Sequence, residues 1–392
     1  MKLSVGLMHV RRIVCGISGG VDSAVSALLL KRKGFDVVGL FMKNWDIRDE
    51  KGTCTTDDDR KDAEFVCKTL HIPFYEVDFV KQYWNEVFSN MVKDYENGIT
   101  PNPDILCNRH IKFNHFIHHA KTKLGAHAIA TGHYASTSVG YNLDQIDPQV
   151  GVSLLCAADT EKDQTFFLSQ ITQWALQKTI FPLGDLTKAE VKKLAAESGM
   201  EKIAKKKESM GICFIGSRNF HSFIEQYIEP RAGNFIDVDT GKVVGEHKGT
   251  HYWTLGQRCL LAGLSAAYFV CNIHPEDNEV IVASGTDHPA LFTSSFITEG
   301  CHWINGAPPS NTFDARFRFQ HRHRLINCTG HQEWHGGYNV LLDQPMRAVT
   351  PGQFAVFYKD NICLGSGRIW KLGPTLHEQG LKEKVSFPKD LS

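Results

Sequence analysis

Residues 15–25 read Cys-Gly-Ile-Ser-Gly-Gly-Val-Asp-Ser-Ala-Val. Just before them Arg12–Gly16 predicts a β-strand, and residues 22–33, with Leu28, Leu29 and Leu30 inside, predict a helix. A glycine pair at such a junction lets backbone N–H groups close around an object, and at a helix N-terminus the favoured object is an anion. The stretch lacks the lysine of G-x-x-x-x-G-K-[ST] and does not match G-x-G-x-x-G, so it is neither a Walker A loop nor a dinucleotide fingerprint. What remains is a phosphate cradle of main-chain N–H groups with the hydroxyls of Ser18 and Ser23 and the acid Asp22. A carboxylate there repels a bare phosphate, which implies a magnesium ion between the two. The plainer alternative is a tight strand-to-helix turn with a good cap.

Outward from this loop, strand and helix patterns alternate. Residues 36–42 (DVVGLFM) form a nearly all-apolar strand, the signature of a parallel sheet covered on both faces. Helices are predicted at 56–70, 83–96 and 109–124, and strands at 74–80 and 127–131, with a non-periodic loop, GITPNPDILCN, at 98–108. The rhythm predicts a doubly wound α/β domain whose ligands bind at the carboxyl ends of its strands. A later helix at 187–198 has Thr187 as N-cap and Gly199 past its end. Beyond about residue 217 short alternating segments and turn signals dominate. The expected division is a catalytic α/β domain over 1–217, a small α+β domain over 218–290, a β-barrel over 291–375 and a frayed, charged tail at 376–392.

Composition narrows the class. The 392 residues carry 43 basic and 43 acidic side chains, so nucleic acid must be met by local basic patches rather than by a global field. Eleven cysteines without any C-x-x-C argue against a disulfide scaffold or a four-thiolate metal site and for mostly buried thiols in a reducing compartment. No apolar run reaches the ~18 residues of a membrane span, so no membrane partner is expected. The opening MKLSVGLMHVRR is basic and acid-free, as a mitochondrial presequence would be.

Two cysteines stand apart. Cys107 lies directly before the predicted helix that opens with Asn108, Arg109 and His110, where a helix N-terminus and cations favour thiolate. Asp104, three residues earlier, is placed to exchange a proton with it. Cys213 follows Lys205-Lys206-Lys207 and is flanked by Gly211 and Gly216. Either thiol alone is equally well read as a small buried hydrophobe. Residues 316–324, Arg-Phe-Arg-Phe-Gln-His-Arg-His-Arg, alternate with period two. As one strand they put Arg316, Arg318, Arg322 and Arg324 on one face, suited to an RNA backbone or simply to solvent. Lys205–Lys207 forms a weaker patch of the same kind. Asp57-Asp58-Asp59 reads as the acidic first turn of a helix, and His118-His119, His321 with His323, and Cys107 with His110 lack companions for a metal; no resident metal site is expected.

The stretch SGGVDS after a first strand resembles the PP-loop of the ATP pyrophosphatases, which split ATP between its α and β phosphates. Further segments, FMKNWD (41–46), TPNPDILCN (100–108), ATGHYA (130–135), KDQTFFL (162–168), FPLGDLTK (181–188), GICFIG (211–216), GEHKG (245–249), YWTLGQR (252–258) and GQFAVFY (352–358), resemble the tRNA-specific 2-thiouridylases in order along nearly the whole chain. The resemblance implies ATP-dependent adenylation of O2 of the wobble uridine of tRNA, then sulfur transfer to C2 from a cysteine persulfide. It implies ATP, with magnesium, held by Gly16, Ile17, Ser18, Gly19, Gly20, Val21, Asp22 and Ser23 and by main chain near Met42 and Gly132. Cys213 would carry the persulfide, Cys107 would be the second thiol, able to form a disulfide with it, and Asp104 would assist. Asn102, Pro103 and Asp104 would meet the target base, and His133, Lys162, Asp163, Gln164, Arg316, Arg318 and Gln353 the rest of the tRNA. A sulfur-donor protein is the implied second partner. Met210 departs from the family's usual glutamine and resembles the mitochondrial branch of animals.

Two other readings use the same loop. Another PP-loop enzyme, making an amide or attaching lysine to tRNA, needs no paired cysteines; an ATP-gated RNA-binding module needs no intact loop acid.

Overall fold

The computed structural model describes residues 11–45, 55–207, 220–261, 263, 266–334 and 336–385. Cys213 and Met210, and with them GICFIG, lie outside the described residues. Five parallel strands, β1 (Arg12–Gly16), β2 (Asp36–Lys43), β3 (Phe74–Asp78), β4 (Ala128–Ala130) and β5 (Thr179–Ile180), lie in the order β3-β2-β1-β4-β5. Chain order reverses between β1 and β4, so a crevice opens at their carboxyl ends. The Ser-Gly-Gly turn leaves β1 there, and Gly132 follows β4.

The sheet is apolar on both faces. Along β1, Val14 packs with Val38, Leu40 and Ile129, whereas Ile13 and Cys15 pack with Val37, Phe41 and Ala128. Burial pushes the Cys15 thiol up, with Cys67 adding to the effect, so this cysteine is packing and not a nucleophile. Residues 233–284 build a five-stranded sheet in the order Arg258–Cys259, Tyr268–His274, Glu279–Ser284, Gly233–Asp237, Val243–His247. Phe292–Thr298 pairs with both Tyr338–Arg347 and Ile362–Leu372, which closes six strands into a barrel without open edges. Two short strands of the first region, Ser136–Thr137 and Leu154–Leu155, join the barrel sheet at Ile362–Leu372. The catalytic region and the barrel are therefore stitched by backbone pairing.

Four expectations need correction. The loop at 98–108 ends at Asn102, whose side chain accepts from the Ile105 N–H and caps a helix with Pro103 in its first turn. Helical chain then runs on through Cys107–His115, with a kink at Phe113, into Phe116–Leu124, so Cys107 sits in the second turn and not ahead of a helix. The strand expected over residues 316–324 stops at Arg318, and Arg322 and Arg324 lie exposed in the turn that follows. The tail is not frayed over its described part: Leu376 donates to the Phe292 carbonyl, Val385 to that of Asp287, and both side chains pack near Ala290–Phe292. Lys206 is not a free basic patch, because Asp59 and Asp62 each accept from it at 2.7 Å. Among the described residues no helix is long and apolar enough to cross a membrane.

Candidate active site

The loop after β1 is held open by its own hydroxyls. Ser23 Oγ accepts from the Ser18 N–H at 3.1 Å, donates to the Gly20 carbonyl at 3.0 Å and lies 3.3 Å from Ser18 Oγ. Gly19 has φ +77°, and a side chain there would also collide with the Asp59 carbonyl, so only glycine fits. Across the crevice, a Cβ on Gly132 would lie 2.7 Å from the Ser23 nitrogen. Only glycine at that position lets the chain after β4 pack this closely against the first turn of helix Val21–Arg32, whose N-terminal N–H groups suit an anion. Lys206 also reaches the Gly19 carbonyl, at 3.5 Å, and ties the loop to Asp59 on helix Thr55–Thr69. Met42 sits at the end of β2, its Cε 3.8 Å from the space a Gly16 side chain would take.

The lysine that the loop lacks in sequence is supplied in space. Lys188 Nζ donates to both oxygens of Asp22, at 2.7 and 2.8 Å, and the Tyr134 hydroxyl donates to Oδ1 at 3.0 Å. Lys188 opens helix Lys188–Glu197, whose Thr187–Glu190 capping box fixes that end, and its own N–H donates to Asp159. Sequence reading named FPLGDLTK as a motif but gave Lys188 no role; the capping signal at Thr187 was the visible cue. Gln164 fixes Tyr134 by accepting its N–H and donating its own N–H to the Tyr134 carbonyl.

The Cys107 helix passes the same crevice, its Phe116 ring closing under Gly16. Cys107 is 3% exposed. Asp104 is half-buried; burial pushes its carboxyl up and Lys112 pulls it partly back. Gln353, from the barrel, pins the start of this helix: it accepts from Asn102 Nδ2 at 3.0 Å and donates to the carbonyls of Thr100 and Pro101. Pro103 is buried in the first turn. His133 is buried between Phe113 and Phe181, with Nδ1 2.8 Å from the Thr131 hydroxyl. Burial, then Lys112, drives its imidazole well below its ordinary value.

Four more of the residues expected to meet tRNA, Lys162, Asp163, Arg316 and Arg318, divide into two groups. Arg316 and, in part, Lys162 face outward, and Arg316 donates to the Asp360 carbonyl at 2.6 Å. Arg318 and Asp163 do not: they form a buried ion pair at 2.6 Å, with Arg318 also donating to the Tyr358 hydroxyl and the His321 carbonyl. Asp163 further accepts from the Thr165 hydroxyl and the Ala157 N–H. These two side chains brace the barrel against the catalytic region. Among the described residues no group of three or more His, Cys, Asp or Glu could hold a metal ion.

A parallel doubly wound sheet with a Ser-Gly-Gly anion cradle at its switch point defines a nucleotide-binding α/β domain of the PP-loop class. Three family models match in succession: the tRNA methyl transferase HUP domain at residues 11–217, the tRNA methyl transferase PRC-barrel domain at 221–284 and the aminomethyltransferase beta-barrel domain at 293–369. The chain is 51% identical to mitochondrial tRNA-specific 2-thiouridylase 1 of Gallus gallus, over 97% of each chain. It is 50% identical to the Homo sapiens protein of that name, over 95% of this chain and 93% of the other. It is 43% identical to tRNA-specific 2-thiouridylase MnmA of Alkaliphilus oremlandii, over 91% and 96%. This chain belongs to the tRNA-specific 2-thiouridylase family.

Proposed function

We propose that this protein uses ATP to replace O2 of a tRNA wobble uridine by sulfur, and that it does so in the mitochondrion. The observation that carries the reading is an anion cradle backed by Lys188, with the Phe116 ring of the helical segment that carries Asp104 and Cys107 packed against Gly16 at its edge. The residues from Gly16 to Ser23, with Met42 and Gly132, would hold ATP, its phosphates lying against the N-terminus of helix Val21–Arg32. When bound, ATP supplies the adenylyl group that turns uracil O2 into a leaving group. Magnesium is expected with ATP, but both Asp22 oxygens are engaged by Lys188 and Tyr134, so this acid does not fit as its ligand. The positive charge beside Asp22 comes from Lys188 instead.

The chain's own groups then divide the work. Asp104, kept more readily protonated by burial, holds or returns a proton beside the base. The terminal sulfur of a Cys213 persulfide bonds to C2 as the C2–O bond to AMP breaks. Attack of the Cys107 thiolate on Sγ of Cys213 breaks the S–S bond, releasing 2-thiouridine and leaving a Cys107–Cys213 disulfide; release of sulfide by Cys107 before attack is the alternative order. A sulfur-donor protein must renew the persulfide after a thiol reductant reopens the disulfide. The exposed Arg316, with Arg322 and Arg324 in the adjoining turn and the half-buried Lys162, offers the local basic surface a neutral chain needs for RNA. The mitochondrial placing rests on the names of the relatives and the basic opening residues.

The test is mass spectrometry of tRNA after incubation with ATP, magnesium and a persulfide donor. One oxygen should be replaced by sulfur at the wobble uridine. Cys107→Ser and Cys213→Ser should stop that exchange while pyrophosphate release continues. Unmodified tRNA from folded enzyme, or full thiolation by both variants, would overturn the reading. A fluorescently tagged chain outside mitochondria would overturn the placing.

A further inference from the structure

Asn108 follows Cys107 in sequence and is 3% exposed. Its Nδ2 donates to the Phe167 carbonyl at 3.0 Å. That carbonyl can only accept, so the amide is locked with Nδ2 toward it and Oδ1 turned the other way. Oδ1 is buried and has no hydrogen-bond partner. A buried acceptor without a donor carries an uncompensated desolvation penalty, which a donor reaching it during the working cycle would relieve.

The position says what that donor is. Asp104 and Asn108 are four residues apart on one helix, hence neighbours on one face. Asp104 is the group proposed to hold or return a proton beside the base, and N3 is the ring atom bonded to C2 and C4. Uracil carries a hydrogen on N3; cytosine carries a lone pair there and would set it against the Asn108 carbonyl. A base drawn out of its stack is read on this edge. We propose that Asn108 Oδ1 accepts the hydrogen bond of uracil N3–H and is thereby the residue that selects uridine over cytidine. The proposal rests on the wobble uridine being the substrate. A hydrogen bond accepted from N3–H also raises electron density at O2, the atom that must attack phosphorus.

Phe167 gives the arrangement its rigidity. It belongs to KDQTFFL, and Gln164 of the same stretch fixes Tyr134 beside Asp22. One segment therefore fixes both the acid of the phosphate cradle, through Tyr134, and the Asn108 amide.

The experiment is binding of synthetic anticodon stem-loops with uridine or cytidine at the wobble position, by wild type, Asn108→Ala and Asn108→Leu, together with pyrophosphate release on the uridine substrate. Wild type should prefer uridine by tenfold or more. Both variants should lose most of that preference and bind the two stem-loops within about threefold of each other. Asn108→Leu keeps the side-chain volume, so it reports on the lost acceptor should the alanine variant fail to fold; ATP binding verifies that each variant is folded. A folded variant that binds uridine more weakly but keeps the wild-type ratio would show a packing role and overturn the proposal. Wild type that releases no pyrophosphate with the uridine stem-loop would instead overturn the wobble-uridine reading beneath it.

Discussion

The Lys188 ammonium bridges both carboxylate oxygens of Asp22, at 2.7 and 2.8 Å, although 166 residues separate the two in sequence. The pair gives the phosphate cradle a cation without a lysine in the loop, and it keeps Asp22 from repelling the anion. Lys188→Gln should raise the KM for ATP and cut pyrophosphate release by about 10²–10³-fold, the usual cost of losing one preorganised charge at a reacting phosphoryl group. Lys188→Arg should retain part of it. The side chain of Asp22 is 33% exposed, so the pair adds only about 0–1 kcal/mol to folding and urea midpoints should barely move. Unchanged ATP kinetics in Lys188→Gln would refute the role.

Gln353 commits both its amide N–H groups and its Oε1 to the segment that launches the Cys107 helix, which gives it a positioning role toward Cys107 and Asp104 from the barrel side. Gln353→Ala should lower kcat about tenfold or more through misplacement of those groups, with the KM for ATP unchanged. The lost bonds should reduce stability by about 1–3 kcal/mol in urea. A raised KM for tRNA with unaltered kcat would return Gln353 to the direct tRNA contact that the sequence resemblance implies.

Arg318 and Asp163 are both buried, and each satisfies the other's charge across the junction between barrel and catalytic region. Arg318→Met should destabilise by about 3–5 kcal/mol because it strands a buried carboxylate. Adding Asp163→Asn should recover a large part of that loss. Denaturant titration of the two single variants and the double variant checks the cycle; additive losses would mean the ion pair is not the coupling element. Residual tRNA affinity of the folded double variant should stay close to wild type, since neither side chain reaches the surface.

The sheet was legible in sequence because its strands are apolar on both faces and its helices carry caps: β1, β2 and the Thr187 cap fall where periodicity puts them. The phosphate cradle was legible for the same reason, being one contiguous stretch. The helix start at Pro103 was hidden because two prolines and an asparagine signal a loop and an N-cap equally well. Period two over residues 316–324 promised a longer strand than forms, since alternation alone carries no stop signal and the chain turns at Gln320–His323 to bond Asp163. Lys188 was passed over, and the ties of Gln353 and Arg318 to the catalytic region were not visible, because these partners are 155 to 253 residues away. A lone charged or amide side chain in a sequence does not announce a distant buried counterpart.

Two groups at the site should leave opposite marks on the pH dependence of stability. Burial raises the Asp104 pKa above its ordinary 3.8, with Lys112 offsetting only part. Its contribution to folding is therefore fully present below 3.8 and is lost as pH rises through the folded value. Burial, then Lys112, depresses His133 well below 6.5, so its contribution is present above 6.5 and is lost as pH falls through the folded value. Asp104→Asn should accordingly be more stable than wild type at neutral pH, with the gain vanishing below about pH 3.8, while thiolation is lost. His133→Leu should flatten the fall in stability that wild type shows on the acid side of 6.5. Urea midpoints measured from about pH 3 to about pH 8, a range that brackets both effects, check the two signs independently. An Asp104→Asn enzyme less stable than wild type at neutral pH would mean that its carboxylate is stabilised by an opposite charge, and Lys112, not burial, would then set its protonation.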